Sequence, residues 1–141
     1  MDDDVIRLHY EIAADDFEGA GAVSSSTKRL LGQLGIDPST IKRIAISMYE
    51  AEINAVIHAY GGTADVEITP ETITVTISDT GPGIPDLEKA MQAGFSTAGK
   101  EIRSKGFGAG MGLPNMKSNA DHMEIETEVG VGTKVILTTK I

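Results

Sequence analysis

Cysteine is absent from this 141-residue chain, which excludes disulfides, iron–sulfur clusters and thiol nucleophiles. Histidine is scarce, and His9, His58 and His122 stand apart without metal-ligand spacing. No apolar run approaches the roughly 20 residues of a membrane-spanning helix. The first residues, Met1-Asp2-Asp3-Asp4, are the opposite of a basic signal peptide. The expected location is the cytoplasm, with no membrane partner. Basic residues are outnumbered, 12 Lys and Arg against 21 Asp and Glu, for a formal net charge of −9. Such a chain is repelled by phosphate backbones, so nucleic acid is not an expected partner.

What is present is ordinary for a globular protein: 40% hydrophobic and 23% charged residues. The length suits one domain over residues 1–141, large enough to bury a core without covalent or metal staples. Val5 to Ile12 alternates with strand spacing, placing Ile6, Leu8, Tyr10 and Ile12 on one face. Asp16 to Leu34 has helical character and stops at Gly35. Asp37-Pro38 starts a second helix, an N-cap followed by proline at the first helical position, running to about Tyr60. Its apolar residues lie on two sides: Ile41, Ile44, Ala45, Met48 and Ala55 on one, Ile46, Ile53 and Ile57 on another. That distribution predicts burial between two surfaces.

A hairpin is expected from Ala64–Thr69 and Thr72–Ser78, with the turn at Pro70-Glu71. A short helix is expected from Pro85 to Ala93, then a glycine-rich mobile loop at 94–112, a helix at Leu113–Asn119, and strands at Met123–Glu128 and Lys134–Thr139. The pattern predicts an α/β two-layer sandwich: a mixed, largely antiparallel sheet with helices on one face.

Four features carry chemistry. Glu50 and Asn54 are four residues apart and share a helix face. The Asn carbonyl suits Mg²⁺, and the carboxylate can accept a hydroxyl proton; a solvated helix face is the bland alternative. Asp79-Thr80-Gly81-Pro82-Gly83-Ile84 follows a strand. Its Asp can accept a hydrogen bond from an exocyclic amine, and its glycines allow close approach of backbone to a ring or phosphate; a Pro-Gly turn is the alternative. Gly106-Phe107-Gly108-Ala109-Gly110-Met111-Gly112-Leu113 leads into a helix. There, exposed N–H groups and the helix dipole favour phosphate. Gly130-Val131-Gly132-Thr133 joins the last two strands. One decoy fails: Gly94–Lys100 imitates a P-loop, but Glu101 stands where Ser or Thr would hold Mg²⁺.

Taken in order, these features resemble the Bergerat ATP-binding fold of the GHKL superfamily, over nearly the whole chain. The N box matches Glu50…Asn54, the first glycine box Asp79-x-Gly81-x-Gly83, the second Gly108-x-Gly110-x-Gly112, and the last Gly132-Thr133. Asp79–Thr97 and Gly108–Lys117 look like the switch kinases of the stressosome (RsbT type). Glu50 to Tyr60 looks more like the anti-sigma-factor kinases (RsbW and SpoIIAB types).

The resemblance implies ATP or ADP with Mg²⁺ as cofactors, a lid at about 94–112, Glu50 as general base and Asn54 as metal ligand. It implies that Asp79 reads adenine, with Thr133 supporting through a water, and that Arg103 lies near the γ-phosphate. Additional residues, Lys105-Gly106-Phe107, stand between Arg103 and the second glycine box, so Lys100 and Lys105 are substitutes for it. His58, Gly81, Gly83, Ile84, Thr97, Gly106, Gly108, Gly110, Met111, Gly112 and Leu113 are implied as further nucleotide-site residues. An acidic chain then holds an anionic nucleotide through backbone N–H groups, a divalent cation and local basic residues.

The implied function is a protein-serine/threonine kinase of a partner-switching pathway, acting on a STAS-domain partner. The alternative is a nucleotide-gated module that binds a sigma factor or other regulator with little or no transfer; a homodimer is compatible with either. Glu50 favours the kinase, since a pure binder needs Asn54 but no carboxylate. Glu52, on a different side of the helix, is expected to tolerate glutamine.

Overall fold

A computed structural model describes residues 5–13, 21–58, 61–81, 83 and 112–141. Five strands, β1 (Ile6–Ile12), β2 (Gly62–Ile68), β3 (Thr72–Asp79), β4 (His122–Glu128) and β5 (Gly132–Lys140), form one sheet in the order β1-β2-β3-β5-β4. All of these pairings are antiparallel. Three helices, α1 (Ala22–Gln33), α2 (Pro38–His58) and α3 (Gly112–Asn119), complete the described elements. The expected first helix is seen from Ala22; its predicted start at Asp16, the predicted helix 85–93 and the loop 94–111 lie outside the described residues.

Strand alternation decides which sheet face is covered. Leu8, Val66, Val75, Leu137 and Met123 align across the five strands, as do Tyr10, Ala64, Ile77, Val135 and Ile125. These rows carry the core, while the row between them, His9, Asp65, Thr76, Ile136 and Glu124, is polar except at Ile136. The hairpin turn closes with Thr69 N–H to the Thr72 carbonyl at 2.8 Å. The Thr69 hydroxyl oxygen also accepts from Glu71 N–H and Thr72 N–H.

The second helix starts as its sequence dictates. The Asp37 carboxylate accepts the Ser39 hydroxyl and the N–H groups of Ser39 and Thr40. The Ser39 hydroxyl first, then the Thr40 N–H, hold this carboxyl below the usual range. At the far end Gly61 N–H reaches back to the Ala55 carbonyl at 3.1 Å. Between these ends α2 packs against α1 and α3 and lies over β1, β2, β3 and β5. Ile41, Ile44, Met48 and Ala55 of the expected first side are buried and Ala45 is half-buried; of the second, Ile53 is buried, Ile46 is half-buried and the Ile57 side chain lies outside the described residues. Among the described residues no helix is long and apolar enough to cross a membrane.

Candidate functional site

The site is built where the core rows end. Ile12, Gly62 and Asp79 are paired across β1, β2 and β3, and Thr133 pairs with Thr127 across β5 and β4. Asp79, the last residue of β3, is half-buried. Its Oδ1 accepts Gly81 N–H at 2.9 Å and Thr133 N–H at 3.2 Å. Among the described residues these bonds leave Oδ2 without a donor. An acceptor-only group fixed by two backbone donors suits recognition of an exocyclic amine. Thr133 therefore supports Asp79 directly, through its main chain. Its hydroxyl lies 2.9 Å from the hydroxyl of Thr127. Thr127 went unnoticed in the sequence, where it reads as one more strand threonine; only its register opposite Thr133 reveals it.

Two motif glycines have their reason inside the chain. A Cβ on Gly83, which sits at φ 79°, would come within 2.5 Å of the Glu128 carbonyl oxygen. A Cβ on Gly132 would come within 2.1 Å of the Asp79 carbonyl oxygen. Their missing side chains let the β4–β5 turn close against the loop after β3. At both positions the close approach seen is by neighbouring backbone.

The helix layer supplies a second set of groups. Glu50 and Asn54 are both half-buried on α2. Glu50 Oε1 accepts the Asn115 side-chain amide from α3 at 3.2 Å. Glu50 also lines a groove of about 330 Å³ with Ser24, Lys28, Lys42 and Tyr49. Burial first, then the charges of Glu50 and Glu52, push the Tyr49 phenol above its ordinary range.

Glu52 corrects an expectation. It is only 2% exposed, and its carboxylate accepts N–H groups of Gly21 at 3.0 Å, Val23 at 3.2 Å and Ser24 at 3.1 Å. It caps the N-terminus of α1 from a neighbouring helix and is not a dispensable surface residue. Two carboxylates two positions apart thus have opposite fates, one spent on structure and one presented to a groove.

Leu113 is buried in the core beside Met116, and Gly112 begins α3. Arg103, Ile84, Thr97, Gly106, Gly108, Gly110 and Met111 lie outside the described residues, as does the His58 side chain. So do Lys100 and Lys105, the substitutes for Arg103. Among the described residues no three His, Asp or Glu gather into a metal cage. Asn54 alone fits Mg²⁺ that takes most of its ligands from phosphates and water.

An antiparallel sheet under helices, a carboxylate anchored at a strand end and an Asn with Glu one turn before it on the overlying helix define a Bergerat-type nucleotide-binding fold. The family model for the histidine kinase-like ATPase domain matches residues 13–139, and the chain belongs to that family. Its curated relatives include an anti-sigma F factor of Caldanaerobacter subterraneus subsp. tengcongensis, 40% identical over 114 residues, 75% of this chain and 76% of the relative. Another, from Clostridium perfringens strain SM101, is 30% identical over 145 residues, 99% of this chain and 98% of the relative. A solved structure of the RsbU and RsbW domains of a Mycobacterium tuberculosis protein shares the fold, with a TM-score of 0.65 at 18% identity. That match covers 95% of this chain and 32% of the other.

Proposed function

We propose that this chain is an ATP-dependent protein-serine/threonine kinase of a cytoplasmic partner-switching pathway, with a STAS-domain protein as substrate. The observation that carries the reading is the contrast between Glu52, consumed by capping, and Glu50, which stays half-buried one turn before Asn54 at the edge of a groove between α1 and α2. In this reading Asp79 receives the adenine amine on Oδ2, and Asn54 would hold Mg²⁺, which supplies charge neutralisation for the phosphates. Glu50 takes the proton of the attacking hydroxyl as its oxygen bonds to the γ-phosphorus and the bond to the β–γ bridging oxygen breaks, leaving ADP and a phosphorylated Ser or Thr. Arg103, or Lys100 or Lys105 in its place, would add positive charge at the transferring group.

The test is transfer from labelled ATP to candidate STAS proteins by wild type and by Glu50→Gln. The expected loss is roughly 10²–10⁴-fold in rate, the usual worth of a positioned base. ATP affinity should be unchanged or slightly better, because a negative charge beside a triphosphate does not favour binding. Transfer at the wild-type rate by Glu50→Gln overturns the base assignment. The second reading, a nucleotide-gated binder of a sigma factor or other regulator, draws on relatives that are anti-sigma F factors by name. It takes over if wild type transfers phosphate to no protein yet binds a sigma factor in the presence of nucleotide.

A further inference from the structure

We propose that Asn115 is a positioning residue for Glu50, its side-chain amide holding the carboxylate in the orientation from which it accepts a proton; this rests on the base reading above. A glutamate on a helix face has three side-chain torsions, and a half-exposed one loses its useful orientation to rotamer freedom. Here one oxygen is held. A carboxylate can only accept, so the contact at 3.2 Å is Asn115 Nδ2–H donating to Oε1. That bond leaves Oε2 to receive the hydroxyl proton.

Asn115 is itself well fixed. Its helix is anchored by Leu113 and Met116, both in the core, and its carbonyl accepts the Asn119 side-chain amide at 2.8 Å. The choice of an amide also has a chemical reason. A cation at this position would pair with the carboxylate and strongly favour its charged form, weakening it as a base. A neutral donor orients it without placing an opposite charge beside it. Asn115 stands three residues after Gly112, so the helix that holds the base in place begins with the last glycine of the second glycine box.

The test is a double-mutant cycle on the full chain, read as the rate of transfer at saturating ATP and partner, with ATP affinity and melting measured in parallel. Asn115→Ala should lower the rate roughly 10- to 100-fold, the scale expected when a catalytic group is misplaced by about 1 Å. Partner KM, ATP affinity and melting should change little. Asn115→Asp, similar in size but without a donor when ionised, should lose at least as much. In the Glu50→Gln background Asn115→Ala should cost almost nothing further, because the group it positions is gone. Equal losses in both backgrounds, or a wild-type rate for Asn115→Asp, overturn the proposal while leaving the base reading intact. A wild-type rate for Glu50→Gln overturns both.

A readout independent of catalysis is the Asn115 side-chain amide in proton–nitrogen spectra of the chain without nucleotide. One of its two protons should move upfield in Glu50→Ala. An unmoved pair overturns the proposal.

Discussion

At Asp79 two backbone N–H groups converge on a single oxygen, and that detail decides what a substitution does. Asparagine keeps an Oδ1 able to accept from Gly81 and Thr133, so the turn after β3 should survive in Asp79→Asn. The other position changes from acceptor to donor, and an NH₂ would then face the adenine amine. ATP affinity should fall about 10- to 100-fold, the worth of a hydrogen bond to a charged group. Preference for ATP over GTP should fall with it, while the melting temperature stays close to wild type. Nucleotide titrations with both purines, beside a melting curve, check this; undiminished preference would mean that adenine is read elsewhere.

The unit that matters at the scale of elements is the junction of α1 and α2. The first turn of α1 has no capping side chain of its own, and Glu52 of α2 does that work from across the interface. A glutamine there offers one acceptor oxygen to three donors and turns an NH₂ toward N–H groups. Glu52→Gln should destabilise the fold by about 1–3 kcal/mol, the cost of a buried donor left without a partner. The loss should appear as a lower urea midpoint, with faster amide exchange at Val23 and Ser24. Glu50→Gln, on the half-exposed side, should leave the midpoint nearly unchanged. Equal midpoints for wild type and Glu52→Gln would show that the cap contributes nothing.

Across the whole molecule the two layers are tied by Asp121, just before β4. Its carboxylate accepts Lys140 N–H from β5 at 2.8 Å and the Arg43 guanidinium from α2 at 2.9 Å. The Lys140 N–H first, then Arg43, hold this carboxyl below its usual range. A carboxyl depressed in the folded state stabilises fully above its unfolded value and loses that contribution as pH falls through the folded value. Stability should therefore decline on acidification below about pH 4, where an unperturbed Asp takes up its proton. Asp121→Asn should be less stable at pH 7 and lose less than wild type between pH 5 and pH 3. Urea unfolding at these pH values checks this, and parallel acid limbs would remove Asp121 from the account.

Element identity was written locally. Asp37-Pro38 starts α2, strict alternation makes β1, and the Thr69–Thr72 turn makes the hairpin, because caps, periods and turns depend on residues a few positions apart. The order of the glycine boxes sufficed to place the chain in its family. What the sequence could not decide was which of several chemically equal residues is used for what. Glu50 and Glu52 are the same side chain two positions apart, and only the arrival of α1 over one of them makes it a cap. Asn115 meets Glu50 across 65 residues, and Thr133 meets Asp79 across 54. The glycines at 83 and 132 also owe their place to a contact between two turns that are far apart in the sequence. Such pairings are set by helix packing and strand register. Local propensity carries no information about them, since each partner's own neighbourhood is the same whether or not the other arrives.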